Sequence, residues 1–319
     1  MLRFAVRRLV GAIAVLFAIS VLVFLIFNVV PATNPAARIA GKNATPQLIK
    51  NVEEEWGFNK SLPEQYWTQM KLIFTGKATS YSLAHINIDK RILEGLPQTA
   101  SLCIGAAVIW LAFGIFFGYI SAIRAGGFVD RFVTVIALIG ISMPVFWLAS
   151  IFLYYLTYKI ELFPASGYEP LSDPFEWAKH LILPWTCLAV LFAGFYSRVL
   201  RSSMLDVMNE DYVRTARAKG LNQRRVMVRH VLRNSLIPIV TLFGLDFGVL
   251  IGGGAIVTES LFQIEGVGYF TAEALGTQDF PSIMAITIFG AFFIVLFNTF
   301  VDIAYAYLDP RIRLGTSAA

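Results

Sequence analysis

The side chains able to carry chemistry are few and scattered. Two aspartates, Asp246 and Asp302, fall in long apolar runs. Paired carboxylates in lipid suit an aspartyl protease, where two acids share a proton and activate water. That chemistry typically accompanies Tyr-Asp and Gly-x-Gly-Asp. Here the flanks read Phe243-Gly-Leu-Asp246 and Val301-Asp302, a poor match. His85, His180 and His230 lie far apart, so no metal site is expected. Cys103 and Cys187 sit inside apolar runs, where a thiol is a small packing group. Gly76-Lys77 is followed by Ala78 and lacks the upstream glycine of a phosphate loop. No His-Glu-x-x-His, Cys-x-x-Cys or Gly-x-Ser-x-Gly pattern occurs. The sequence therefore reads as non-enzymatic and without a cofactor.

The surrounding elements explain why acids are rare. The chain has 319 residues, 57% hydrophobic and 15% charged, with a mean hydropathy of +0.66. Soluble domains run at about 45–50% apolar and about 25% charged. Disorder and a small disulfide scaffold are excluded, and a single water-soluble globule is a poor fit. Six apolar runs appear, at 9–30, 99–123, 132–158, 181–197, 234–258 and 280–308. Each approaches or exceeds the roughly 20 helical residues that cross a 30 Å hydrocarbon core, the fourth only just. Lipid offers backbone groups no partners, so the spans should be helices. The expected fold class is an all-α polytopic membrane protein with six transmembrane helices.

The first run follows Arg3, Arg7 and Arg8, as in a signal peptide, but it is long and lacks a clear cleavage site. An uncleaved helix is expected. Of 26 Lys and Arg residues, an amino-terminus-inside topology puts 16 on the inner side. Eight of the other ten lie in the long first loop, which crosses largely regardless of charge. Both termini are expected in the cytoplasm. The net charge of +5 then reflects topology rather than nucleic-acid binding.

Three parts follow: 1–30 with the first span, an extracytoplasmic helical loop at 31–98, and a five-helix core at 99–319 carrying the loop 198–233. In the outer loop, Thr45-Pro46 reads as an N-cap and first helical position, with Gly57 closing that helix. Ser61 and Glu64 have capping-box spacing for a second helix reaching about Thr75. Trp56, Phe58, Tyr66, Trp67, Met70 and Phe74 give the pair an apolar face, for packing on the spans or for an external partner.

In the inner loop, Glu210 and Asp211 mark a helix start and Lys219 its end, matching the macrodipole. Gly220 suits a left-handed C′ position and Asn222 caps a second helix leading into span five. Taken alone, the loop also fits a basic surface on anionic lipid. A helix-turn-helix reading fails, because a short loop between spans reaches no DNA groove. In span five, Gly244, Gly248 and Gly252 share one stripe, suited to close packing, as does Gly114-x-x-x-Gly118 in span two. Asp246 lies about 200° from that stripe. It either lines a polar path or ties two helices together.

The pattern Arg214-Thr-Ala216-x-x-x-Gly220, then His230-x-Leu-Arg-Asn-x-Leu-x-Pro238, resembles the EAA loop of ABC-importer permeases. The variant is that of the dipeptide/oligopeptide/nickel family. The resemblance extends through Leu96-Pro-Gln-Thr99, Ser142-Met-Pro144, Phe163-Pro-Ala-Ser-Gly167, Glu259-x-x-Phe262, Gly266-Val-Gly268, Asp279-Phe-Pro281 and Tyr305-Ala-Tyr-Leu-Asp-Pro-Arg-Ile-Arg313. It departs at Thr33-Asn-Pro35, at Gly76-Lys-Ala-Thr-Ser-Tyr-Ser82 and at Glu265, where the family often has Pro. The resemblance implies a type I importer fold in the prokaryotic inner membrane. The implied partners are a second permease subunit, cytoplasmic ABC ATPases and an external substrate-binding protein. A 211–221 helix would dock on the ATPase, with Tyr212, Arg214, Thr215, Ala216, Arg217 and Gly220 carrying the coupling. Asp246, Met143 and Pro144 are candidates for the translocation path. Di- or oligopeptides are the implied cargo, with nickel or another small solute as the alternative.

Overall fold

A computed structural model describes residues 2–29, 34–41, 44–80 and 86–308. His85, Thr33, Tyr81 and Ser82, and the 309–313 end of the terminal motif, lie outside the described residues. The described residues contain no strand, only one isolated bridge between Thr79 and Asn87.

The helices run α1 Leu2–Phe24, α2 Pro35–Ala40, α3 Pro46–Trp56, α4 Leu62–Phe74, α5 Ile88–Ile123, α6 Phe128–Ser142, α7 Val145–Phe152 and α8 Pro174–Met208. They continue as α9 Asp211–Ala218, α10 Gln223–Arg225, α11 Arg233–Ser235, α12 Ile237–Val249, α13 Ile256–Phe262, α14 Val267–Thr277 and α15 Phe280–Leu308. Among them, π-helical turns occupy Leu25–Val29, Leu153–Lys159, Val226–Leu232 and Leu250–Gly254.

Five helical stretches are long and apolar enough to cross a membrane: Val6–Asn28, Ile88–Ile123, Pro174–Met208, Ile237–Gly254 and Phe280–Ile303. The expected straight third span is corrected. Phe128–Ser142 and Val145–Lys159 meet at 99°, and the count reaches six only if this bent pair is one span. The cause is Pro144, which has no N–H to donate and forces Met143 out of the helical region, to φ −79° and ψ 122°. The fifth span is also shorter than expected. Gly253 at φ +143°, the middle of three consecutive glycines, breaks the helix, and α13 starts separately. The second and fourth spans are longer, because α5 begins at Ile88 and α8 at Pro174. Asn87 accepts from Lys90 N at 2.8 Å, and Asp173 accepts from Phe175 N and Glu176 N at 3.2 Å each, giving each start a cap.

The chain forms two compact units, residues 1–100 with 248–319, and residues 101–247. In the first, Val52, Trp56, Met70 and Ile73 from the outer helices join Ile88 and Ile92 of α5, Val267, Phe270 and Ala274 of α14, and Met284, Ala285 and Ile288 of α15 in one core. The apolar face of α3 and α4 therefore packs largely inward, although Trp67 and Phe74 stay 70% and 72% exposed. Both expected helices and their caps are present. Thr45 Oγ1 accepts from Leu48 N, Gly57 adopts φ +70°, and Ser61 N and Oγ both donate to Glu64. The extra helix α2 is capped by Asn34 of the first departure. Gly248 and Gly252 lie against α15, where a Cβ at Gly252 would sit 2.8 Å from the Gly290 carbonyl oxygen.

In the second unit, Trp110 stacks on Phe192 at 4.6 Å between ring centres and contacts Tyr196 and Phe243. Gly118 lets α5 approach α8, since a Cβ there would meet the Ser197 carbonyl oxygen at 2.7 Å. Cys187 is buried in this packing, as expected of a small apolar side chain.

Candidate functional site

Helix α9 projects from the end of α8, and its sequence dictates both its ends. Asp211 occupies the first turn and Arg217 the last. At the carboxyl end, Leu221 N donates to Ala216 O at 3.4 Å and Gly220 N to Arg217 O at 2.9 Å. With Gly220 at φ +74°, this is a Schellman closure. The helix thus stops at Ala218, short of the 211–221 expectation. Asn222 Oδ1 then accepts from Arg224 N at 3.0 Å and starts the next helical stretch.

The burial pattern divides the expected coupling residues. Of them Ala216 is buried against the chain itself at 6% exposure, beside Val213 at 0%. Tyr212, Arg214, Thr215, Arg217 and Gly220 are exposed. Tyr212 is held by Asn234, whose side-chain N–H donates to the phenol oxygen at 2.8 Å. The Thr215 hydroxyl donates to Asp211 O. Arg214 faces Asp211 at 3.5 Å, but both side chains are well exposed, so the pairing is weak. The outward face therefore offers a fixed aromatic ring beside the cations Arg214, Arg217 and Lys219.

Asp246 and Asp302 are each engaged within their own unit. Tyr196 Oη donates to Asp246 Oδ2 at 2.8 Å, tying α12 to α8. Arg8 Nη1 lies 2.8 Å from Asp302 Oδ2, tying α1 to α15. Neither carboxylate is held by a second carboxyl group, as proton-sharing would require. Met143 and Pro144 lie at the bend of α6 and α7, beside a hollow of about 520 Å³ that Ser142, Phe146 and Trp147 also line. His180 bonds the Glu176 carbonyl of its own helix. No group of three potential metal ligands occurs among the described residues.

Two buried networks were not singled out from the sequence. Asp130 accepts from Arg201 Nε at 2.6 Å and Nη2 at 2.7 Å, from Gly126 N at 2.7 Å, and from Ser121. It joins α5, α6 and α8 just before the chain enters α9. An acid at the edge of an apolar run, among Arg124, Arg131 and the later arginines, was the available signal.

The second network lies beyond Gly254, the end of the fifth span. Glu259 is fully buried, with Thr99 Oγ1 donating to it at 2.7 Å and Tyr269 N at 2.9 Å. Thr99 Oγ1 in turn accepts from Val267 N at 2.9 Å. Burial pushes the Glu259 carboxyl up to about 7, against the lowering effect of Thr99 and the Tyr269 and Gly268 N–H groups. A Cβ at Gly268 would fall 3.0 Å from Glu259 Oε2 and 2.9 Å from Ile256 Cα. The Gly266-Val-Gly268 pattern thus serves close approach around a buried acid. Glu265, at the third departure, pairs with Arg91 at 3.4 Å.

Comparison with known proteins agrees with this architecture. Residues 114–314 match the model of the binding-protein-dependent transport system inner membrane component. Residues 1–103 match the amino-terminal model of the same transport-system membrane components. The chain is 35% identical over 311 residues to a probable peptide ABC transporter permease protein, y4tP, of Sinorhizobium fredii, covering 97% of this chain and 99% of that one. It is 36% identical over 338 residues to the dipeptide transport system permease DppB of Alkalihalophilus pseudofirmus, covering 98% and 100%. It is 35% identical over 313 residues to the glutathione transport system permease GsiC of Escherichia coli O6:H1, covering 98% and 99%. The chain is a multi-pass inner-membrane protein and belongs to the family of inner membrane components of binding-protein-dependent transport systems.

Proposed function

We propose that this chain is the permease subunit of an ATP-driven importer of short peptides and forms half of the translocation pathway. The observation that carries this is α9 itself. It is a short helix closed at its carboxyl end by Gly220, presenting Tyr212, Arg214 and Arg217 outward while Val213 and Ala216 anchor it. Such a helix passes a push from a docked partner to α8. A basic segment resting on lipid would need neither the Gly220 closure nor the buried anchors.

With both termini inside, α9 faces the cytoplasm and meets an ABC ATPase, while 31–98 faces an external binding protein. A second, homologous permease completes the path. The core 99–319 then alternates in access, with Met143 and Pro144 at the α6–α7 bend and Asp246 lining the route. The chain is a transport subunit without catalysis of its own. Peptide cargo is supported by the full-length similarity to proteins named as peptide, dipeptide and glutathione permeases.

The test is uptake into ATP-loaded vesicles containing the assembled transporter. Di- to hexapeptides, glutathione and nickel are offered in parallel with the cognate binding protein. ATP-dependent accumulation of peptides is expected. Uptake of nickel alone would move the chain to the alternative cargo, and uptake without ATPase subunits would make it a channel.

A further inference from the structure

We propose that the groove bounded by α1, α4, α5 and α15 holds one acyl chain of a phospholipid, with the lipid phosphate at Lys71. The groove measures about 970 Å³ and lies wholly within the first unit. Its floor is apolar, with Met70, Ile73, Ile92, Ala285 and Ile288. Its polar groups include Lys71, Thr75 and Asp89.

The depth of the groove follows from the bonds that seat α4. Gln69 and Asn28 exchange side-chain hydrogen bonds at the end of the first span. Tyr66 shares a hydrogen bond of 2.7 Å with Ser20 and packs edge-on against Phe17 and Phe24. Ser20 is eight residues below Asn28, about 12 Å along the helix, within a hydrocarbon core of about 30 Å. Helix α4, though part of the 31–98 segment, is therefore sunk into one leaflet. That is the outer leaflet in the orientation proposed above.

This placement explains two exposures that water would oppose. Trp67 and Phe74 stand 70% and 72% exposed on α4 and meet lipid rather than solvent. The groove runs past them to Phe292, twelve residues into α15 from Phe280, about 18 Å by helical rise. An opening with apolar walls at that depth is filled by hydrocarbon. Lys71, two residues beyond the Gln69–Asn28 contact at the end of the first span, lines the groove and has no ion pair with an acidic side chain among the described residues. A lysine stem lying on apolar surface with its ammonium at headgroup level is the snorkelling geometry, and a phosphate oxygen neutralises it. An apolar helix of another subunit laid across the groove would instead bury that ammonium unpaired.

The experiment uses the assembled transporter in vesicles containing a phosphatidylethanolamine with a photoactivatable diazirine in one acyl chain. Cross-links are mapped by peptide mass spectrometry. Labelling is expected on peptides bearing Phe17, Leu93 and Phe292, and should fall at least fivefold in Lys71→Glu and in Leu93→Trp, which obstructs the groove. Both positions are exposed, and ATPase co-purification reports that each variant still assembles. A benzophenone side chain at Leu93 should link to lipid. Labelling that is unchanged in both variants, or a Leu93 benzophenone that links to a second polypeptide, overturns the proposal.

Discussion

Asp130 and Glu259 show what a carboxylate must acquire to be buried in this chain. Asp130 has a bidentate arginine, a hydroxyl and a backbone N–H. Removing one member of a buried ion pair typically costs about 3–5 kcal/mol, because the other charge is stranded. Arg201 retains 30% side-chain exposure, so Asp130→Ala belongs near the low end, about 3 kcal/mol. The Asp130→Ala/Arg201→Ala pair should destabilise by clearly less than the sum of the singles, as measured by thermal denaturation in detergent. Glu259 has no cation within its network, so burial raises its pKa from 4.5 to about 7. A raised folded-state pKa means that the native state binds the proton more tightly. The associated stability is complete below about 4.5 and is lost as pH rises through 7. The melting temperature should therefore fall between pH 5 and pH 8, and Glu259→Gln, a neutral isostere, should flatten that slope. An unchanged slope in the variant would place the titration elsewhere. Thr99, Glu259, Gly266 and Gly268 were visible in the sequence only as separate motif fragments. Their convergence joins residues 160 positions apart, which local patterning does not encode.

At the level of elements, what was legible is what local rules govern. Thr45, Ser61, Gly57, Gly220 and Asn222 act within one helical turn, and each sits at the helix end its side chain or φ angle suggested. The bend at Met143-Pro144 was written in the sequence too, since a proline in an apolar run marks a break. Hydropathy alone smoothed it over, because both arms are equally apolar. Among these signals, Gly220 bears most on the proposed coupling. A β-branched residue at φ +74° is strained by about 1–2 kcal/mol, which loosens the closure of α9 without emptying any core. Gly220→Val should therefore assemble normally with its ATPase, hydrolyse ATP, and import peptide at least tenfold more slowly. Substrate-stimulated ATPase and uptake both at wild-type rates would show that the closure does not transmit the stroke.

Across the whole molecule, the apolar excess that marked the chain as membranous is spread over five helical stretches long enough to cross a membrane and one bent pair. Composition alone showed that lipid must be the solvent, but it did not show the division into units. Residues 1–100 join 248–319 through Val52, Trp56, Phe270 and Met284, contacts far apart in sequence that no window of hydropathy reports. Helix orientation rests on Lys and Arg placement, and the structure makes that expectation testable in one experiment. Both native thiols, Cys103 and Cys187, are buried, at 0% and 1% exposure, so a membrane-impermeant maleimide has little reach to either. Lys77, beyond α4, and Lys219, at the end of α9, are both exposed. In intact cells Lys77→Cys should label and Lys219→Cys should not, with the latter labelling only after permeabilisation. The reverse pattern would place α9 outside, where no ATPase could reach it, and the coupling role proposed for Tyr212, Arg214 and Arg217 would fall with it.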